Sequence, residues 1–294
     1  MKKHMQTKPY TSLLASKNLF AIGLLFVSSY SMAQERIISA GSSVTELIYA
    51  LHAQDKLVAV DVTSRNSQTE ALPKIGYHRQ LSAEGLLALQ PTRIIGSDEM
   101  GPKSTLDLLS QSGINVNIVN TTPTIEGLLK RIDEIAELTQ TESQADIIKQ
   151  KVHQQVNQLE KTIPNKAQQK KVLFLLLHEG RAPYVAGKET TVDEIIKLAG
   201  AINPASKSLS SFKPLSIEAM IAMQPDVILV SNRSFKKLKG IDNILKSIPT
   251  LASTPAGINK AIITINGSAL VGGLGLASLD EAARLNFLLY PQQN

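Results

Sequence analysis

Three sets of residues in this sequence have types and spacings that could do chemistry. Tyr77 and Arg79 stand two apart in Ile75-Gly76-Tyr77-His78-Arg79-Gln80-Leu81. A phenolate is a hard anionic oxygen ligand suited to ferric iron. A guanidinium nearby can hydrogen-bond the phenolate and favour its charged form, or pair with an anionic group of a ligand. The plainer reading of Tyr77 is a half-buried loop tyrosine. His178 follows an apolar run in Leu177-His178-Glu179-Gly180. Its imidazole is a second potential metal ligand or donor, or else a surface histidine at a strand end. Glu84 and Glu218 occupy the same position in two copies of a repeated segment. A carboxylate in a first helical turn favours the helix dipole by about 0.3–1 kcal/mol, which accounts for either glutamate alone. As a matched pair they also suggest two equivalent acidic knobs, suited to arginines of a pseudo-symmetric partner.

Composition narrows the chemistry further. The chain has 294 residues, 43% hydrophobic and 19% charged, which is ordinary globular usage and excludes a collagen-like or largely disordered chain. Cysteine is absent, so there is no disulfide framework, thiolate metal site or cysteine nucleophile. Aromatics make up only 4% and tryptophan is missing, which argues against an aromatic ligand cage. No Gly-x-Ser-x-Gly elbow, His-Glu-x-x-His pair or phosphate loop occurs, so the chain reads as a binder rather than an enzyme. Beyond residue 33 the histidines are His52, His78, His153 and His178, too scattered for a zinc or manganese centre. The net charge of +6 points weakly to nucleic acid, but Lys2, Lys3, Lys8 and Lys17 fall in the first 33 residues, which hold no acidic residue. The remainder carries 27 basic against 25 acidic residues, and a nucleic-acid partner is not expected.

The elements that must position these residues follow from hydrophobic periodicity. Short apolar runs predict strands at 37–39, 57–60, 93–96, 116–119, 172–177, 227–230 and 261–265. Helical patterns lie at 43–52, 82–90, 103–112, 125–139, 191–199, 216–224, 240–247 and 277–289. This alternation predicts an α/β fold with mostly parallel sheets. The polar stretch 142–163 breaks the rhythm. Ala145, Ile148, Val152, Val156 and Leu159 form one apolar stripe along it, as on a long helix with an exposed back. Two lobes joined by that helix are expected: an N-terminal lobe at 34–141, the helix and linker at 142–168, and a C-terminal lobe at 169–294. A ligand cleft would lie between the lobes, lined by loops at the carboxyl ends of strands.

The repeat supports two lobes. Residues 81–97 align without gaps on 215–231, with eight of seventeen positions identical. Each copy reads as an N-cap serine, a short helix, a Gln-Pro stop and a buried strand. Residues 1–33 read differently again. Lysines precede an apolar run at 19–27, and Ser31-Met32-Ala33 places small residues before Gln34. That is the layout of a secretory signal peptide cleaved after Ala33. The apolar run is about half the roughly 20 residues of a membrane-spanning helix, so an exported product free of the membrane is expected.

Taken together, Arg36-Ile37-Ile38-Ser39 with Thr45-Glu46-Leu47, the two Leu-Ser-x-Glu…Gln-Pro segments and the central helix carry a resemblance. The chain resembles, over essentially its whole length beyond residue 33, the periplasmic substrate-binding proteins of ATP-binding-cassette importers for haem, cobalamin or ferric siderophores. The resemblance implies two Rossmann-like lobes that open and close only slightly, a periplasmic location and a monomer. It implies contact of Glu84 and Glu218 with an inner-membrane permease and its ATPase. Residues 76–85 also resemble the Gly-Tyr-x-Arg-x-Leu-x-Ala-Glu-Gly stretch of haem-binding members. That implies haem as the carried ligand, Tyr77 as its iron ligand and Arg79 as its support. Some relatives place a histidine where His178 stands, facing the haem. A ferric siderophore or cobalamin bound by the same fold is the alternative, and an exported hydrolase a remote one.

Other candidates carry less. His78 adjoins Tyr77, but neighbours in extended chain point to opposite sides, so His78 is expected to face away from the iron. His52 and His153 fall in helical patterns and read as structural or exposed. The basic residues of the loops 203–214 and 231–240 read as a solvated face. The glycines of 267–275 would let backbone approach a ligand closely.

Overall fold

The structure is a computed structural model that describes Met1, residues 34–177 and residues 182–291. Two units are distinguished, Met1–Ala33 and Gln34–Asn294. The expected signal peptide falls outside the described residues, and so does His178.

The second unit begins with alternating strands and helices: β1 (Ile37–Ala40), α1 (Ser42–Ala50), β2 (Leu57–Val60), α2 (Ala83–Leu87), β3 (Arg93–Gly96), α3 (Lys103–Gln111), β4 (Asn115–Ile118) and α4 (Ile125–Thr139). The strands pair in the order β2-β1-β3-β4, and every pairing is parallel. All four residues of β1 are buried, as a central parallel strand covered on both faces requires. The long helix α5 (Glu142–Thr162) follows, 21 residues and so about 32 Å long. Its residues Ala145, Ile148, Val152 and Leu159 are buried and Val156 packs beside them, so the apolar stripe faces inward throughout.

The second half contains β5 (Val172–Leu176), β6 (Tyr184–Ala186), α6 (Thr191–Leu198), β7 (Phe212–Pro214), α7 (Ile217–Met223), β8 (Val227–Ser231), α8 (Asn232–Lys237), α9 (Ile241–Ser247), α10 (Pro255–Ile258), β9 (Ile262–Ile265) and α11 (Leu276–Leu289). Its sheet runs β7-β6-β5-β8-β9. The β5–β8 and β8–β9 pairs are parallel, whereas β6 pairs antiparallel with both β5 and β7. The sequence offers too short an apolar run for β6, Tyr184-Val185-Ala186, and no apolar pattern for β7. They are three residues each, and β7 is exposed along its length. The connection 177–183 is also shorter than the dozen or so residues that a parallel crossover needs, so β6 must return antiparallel.

The repeated segments adopt matching local structure. Ser82 accepts from the Gly85 N–H at 3.4 Å, and Ser216 from the Ala219 N–H at 3.2 Å. The stops match too: Gln90 and Gln224 both take left-handed φ, 48° and 43°. Gln224 is the C-cap of α7 and Gln90 closes the turn after α2, each directly before a proline, which disfavours a helical residue ahead of it.

One apolar core spans both sheets. It runs from Ile37 of β1 through Leu47, Ile132 and Ile148 to Phe174 of β5, Ile195 of α6 and Leu285 of α11. A polar strap fastens the same edge. Ser42 Oγ donates to the Ser268 carbonyl at 2.5 Å, and Ser43 Oγ to that of Gly272 at 2.7 Å. The Glu46 carboxylate accepts the N–H groups of Leu276 and Ala277, at 2.7 and 3.1 Å, where α11 begins. Buried Arg131 donates through Nη1 to the Leu274 carbonyl at 2.7 Å. A Cβ on Gly273 would strike the Arg131 guanidinium, and one on Gly275 the Glu46 carboxylate. The close approach these glycines permit is thus to side chains from the first half of the chain. Burial raises the Glu46 pKa to about 7, against the opposing pull of the two N–H groups and Arg131. Burial likewise lowers that of Arg131 to about 10.

No described helix is long and apolar enough to cross a membrane.

Candidate functional site

In parallel α/β sheets, ligand-handling groups gather at the carboxyl ends of the strands. The first sheet follows this rule. Asp61 directly follows β2, Ser97–Glu99 follow β3, and the loop carrying Tyr77 and Arg79 is pinned between them. Ile75 N–H donates to the Val60 carbonyl at 3.1 Å, and Val62 N–H to that of Gly76 at 2.9 Å. On the other side Gly101 N–H donates to the His78 carbonyl at 3.0 Å, and Leu81 N–H to that of Gly101 at 2.7 Å. Gly76, with φ of 84°, makes the turn that brings the chain back over β2.

This backbone sends successive side chains opposite ways. Tyr77 is 41% exposed, while His78 is 1% exposed. The two rings still meet edge to face, with centroids 4.5 Å apart and planes at 61°. His78 therefore faces into the lobe, as its position next to Tyr77 predicts, and Tyr77 faces out.

His78 lies between two carboxylates. Its Nδ1 is 2.9 Å from Asp61 Oδ2. Its Nε2 is 3.4 Å from Glu99 Oε2, an ion-pair contact without the alignment of a hydrogen bond. Asp61 is fully buried and also accepts from Thr63 Oγ1 at 2.8 Å and Ser64 Oγ at 2.9 Å. Ser64 continues the chain to Thr45 and Ser39, each step 2.7 Å. Glu99 is shared, because its other oxygen pairs with the Arg79 guanidinium.

Electrostatics favour ionised groups throughout. Burial opposes a charged imidazole, yet the hydrogen bond to Asp61 and the negative charges of Asp61 and Glu99 outweigh it and raise the His78 pKa. Burial likewise opposes the Asp61 carboxylate, but donation from His78, Thr63 and Ser64 holds its pKa below the ordinary value. Glu99 is held low first by His78 and then by the charge of Arg79. The result is an alternating row of Asp61, His78, Glu99 and Arg79, with the exposed ring of Tyr77 packed edge to face on His78.

The other expected residues lie apart from this row in sequence. Glu84 is exposed in the first turn of α2, and Glu218 in the first turn of α7. The Glu218 pKa is lowered by its own backbone N–H and by the Ser216 hydroxyl. At the second sheet, Ser231 Oγ caps α8 by accepting from the Ser234 N–H at 3.1 Å, and Ser234 Oγ reaches the Leu177 carbonyl at 3.3 Å. The carboxyl ends of β5 and β8 thus meet one residue before His178. Arg233, Lys236, Lys237 and Lys239 are exposed, as a solvated basic face requires. His153 is exposed on α5, and His52 is exposed just past α1. No cluster of three or more His, Asp or Glu suited to a metal ion occurs among the described residues.

Sequence reasoning missed Asp61 and Glu99. The available signal was positional: an acidic residue one place after β2 and another three places after β3, both at the edge where ligands bind.

Known proteins share this architecture. The crystal structure of the periplasmic heme binding protein HutB of Vibrio cholerae is 59% identical, with a TM-score of 0.83, covering 88% of this chain and 100% of that one. A periplasmic heme binding protein from Pseudomonas aeruginosa is 33% identical, with a TM-score of 0.82, covering 88% and 94%. A vitamin B12-binding protein of Vibrio campbellii is 28% identical over 225 residues, 75% of this chain and 80% of its own. The model of the periplasmic binding protein family matches residues 37–269, and the chain belongs to that family.

Proposed function

We propose that the protein captures haem in the periplasm and delivers it to an inner-membrane importer, without performing chemistry on it. The observation that carries this reading is the exposed phenol of Tyr77 on a loop pinned at both ends, with the Arg79 charge two residues away. An exposed phenol is free to ligate ferric iron, and a pinned loop loses little entropy when it does. The haem enters edge-first between the lobes. Tyr77 takes one face of the iron, Arg79 meets negative charge, and His178 serves as an opposite ligand or donor. The 59% and 33% identities to proteins named for haem binding support the same reading.

Delivery rests on Glu84 and Glu218. Both are exposed first-turn carboxylates on equivalent short helices, free to meet cationic residues of a permease. Docking there would draw the lobes apart and loosen the ligand.

Cobalamin is the second reading, favoured by the relatives named for vitamin B12 at 28% identity. Parallel titrations of protein beginning at Gln34 with haemin and with cyanocobalamin separate the two. Haem capture predicts saturable haemin binding with the absorption of tyrosinate-ligated ferric haem, lost in Tyr77→Ala. Saturable cyanocobalamin binding with no haemin spectrum would overturn it.

A further inference from the structure

His78 is buried between two carboxylates and adjacent to the proposed iron ligand, yet it faces away from it. Its imidazole bridges two acidic residues supplied by different strands: Asp61 after β2 and Glu99 after β3. Neither partner is replaceable by water, because the ring is 1% exposed and Asp61 is fully buried. The partner on the Glu99 side reaches further. Glu99 is 36% exposed and joins buried His78 to Arg79, whose side chain is 52% exposed. Arg79 has no other side-chain partner among the described contacts, so Glu99 alone fixes where its charge sits. A long exposed arginine without such an anchor would sample many rotamers and lose most of its value to a ligand.

We propose that His78 is a positioning residue for ligand capture: through Asp61 it fastens the loop that presents Tyr77, and through Glu99 it anchors Arg79, two residues further along that loop. This rests on the haem reading, with Tyr77 as the iron ligand. The two arms can be cut separately. An asparagine amide nitrogen falls near the position of Nδ1, and a glutamine amide nitrogen near that of Nε2. His78→Asn therefore keeps the Asp61 arm and cuts the Glu99 arm, while His78→Gln does the reverse.

The experiment is a haemin titration of His78→Asn, His78→Gln and Glu99→Ala, each with Arg79 intact and as Arg79→Ala. Thermal melting of every variant runs alongside. With Arg79 intact, His78→Asn and Glu99→Ala should each weaken haemin binding by about tenfold, the worth of one charge-assisted hydrogen bond. In the Arg79→Ala background neither should weaken it further, because the group being positioned is gone. His78→Gln should bind more tightly than His78→Asn even where it melts lower. A structural role alone would give losses that follow the melting temperature and persist without Arg79. Glu99→Ala, altered at a partly exposed residue, keeps the test decisive if His78→Asn does not fold.

Equal losses with and without Arg79, or unchanged affinity in both Glu99→Ala and His78→Asn, would overturn the proposal. Tyr77→Ala separates this from failure of the haem reading. If Tyr77→Ala abolishes the spectrum while the His78 and Glu99 variants bind normally, only the positioning role falls. If Tyr77→Ala keeps the wild-type spectrum, Tyr77 is not the iron ligand and the positioning role falls with it; if the wild type gives no saturable haemin spectrum, the haem reading itself falls.

Discussion

Glu46 makes the stability of the protein depend on pH in a direction opposite to that of most carboxylates. It sits on α1 and accepts two N–H groups at the start of α11, so it ties the first half of the chain to the last helix. Burial lifts its pKa from 4.5 to about 7. The folded state therefore holds a proton on Glu46 that the unfolded chain has already released between these two values. The Glu46 contribution is fully present below pH 4.5 and is lost as pH rises through 7. A shift of this size corresponds to about 3 kcal/mol by linkage. At a urea dependence of about 3 kcal/mol per molar, that is a shift of about 1 M in the unfolding midpoint. The assay is urea unfolding of the wild type and Glu46→Gln at intervals from pH 5 to 8. Glutamine keeps the shape but does not titrate, and it turns an amide N–H toward one of the helix donors. It should be the less stable protein at pH 5, and the gap should close by about 1 M toward pH 8. The difference between the two curves isolates Glu46, because His78, Asp61 and Glu99 titrate in both. Parallel curves would show that Arg131 and the two helix N–H groups keep Glu46 ionised at every pH, and the argument from burial would be refuted.

Two further outcomes are expected. Phe174 is 1% exposed in β5 and packs edge to face on Phe212, with ring centroids 6.2 Å apart. Phe174→Ala should cost about 3–5 kcal/mol in a denaturant melt, and a loss below 1 kcal/mol would show that the shared core collapses around the cavity. Glu84→Ala/Glu218→Ala should bind haemin as the wild type does, yet fail to support ATP-driven uptake by membrane vesicles holding the importer. Normal uptake would remove the docking role.

Legibility in the sequence followed the strength of local patterns. The stripe on α5, the buried strands β1, β5 and β8 and the two capped repeat helices each carry their own periodicity, and each lies where that periodicity predicts. The strands β6 and β7 and the short helices α8 and α10 were not legible. β7 has no buried residue, α8 is a mostly polar and basic run behind a serine cap, and α10 has four residues. Within the site, Tyr77 and Arg79 announced themselves by type and spacing. The acidic partners of His78 did not. Asp61 lies 17 positions away and Glu99 lies 21 positions away in sequence, and only the parallel order β2-β1-β3 brings them to one ring. The glycines of the loop before α11 were legible as a close approach, but their neighbours Ser43, Arg131 and Glu46 lie more than a hundred residues away.

The way the halves are joined bears on how a ligand is held. A protein that grips by large hinge closure needs lobes with separate cores. Here Leu47 and Ile132 on one side share a core with Phe174, Ile195 and Leu285 on the other. Opening that seam would expose side chains worth about 1.5–3 kcal/mol each, and would also break the strap at Ser42, Ser43, Glu46 and Arg131. Wide opening would therefore consume a large part of a stability of about 5–15 kcal/mol. Affinity must come instead from groups already in place before the ligand arrives. That is the property expected of a loop with four backbone hydrogen bonds to its flanks and a buried histidine hydrogen-bonded to Asp61 beneath it. Release then cannot wait for spontaneous wide opening. On the proposed reading a partner supplies binding energy at two points, through Glu84 in α2 and Glu218 in α7.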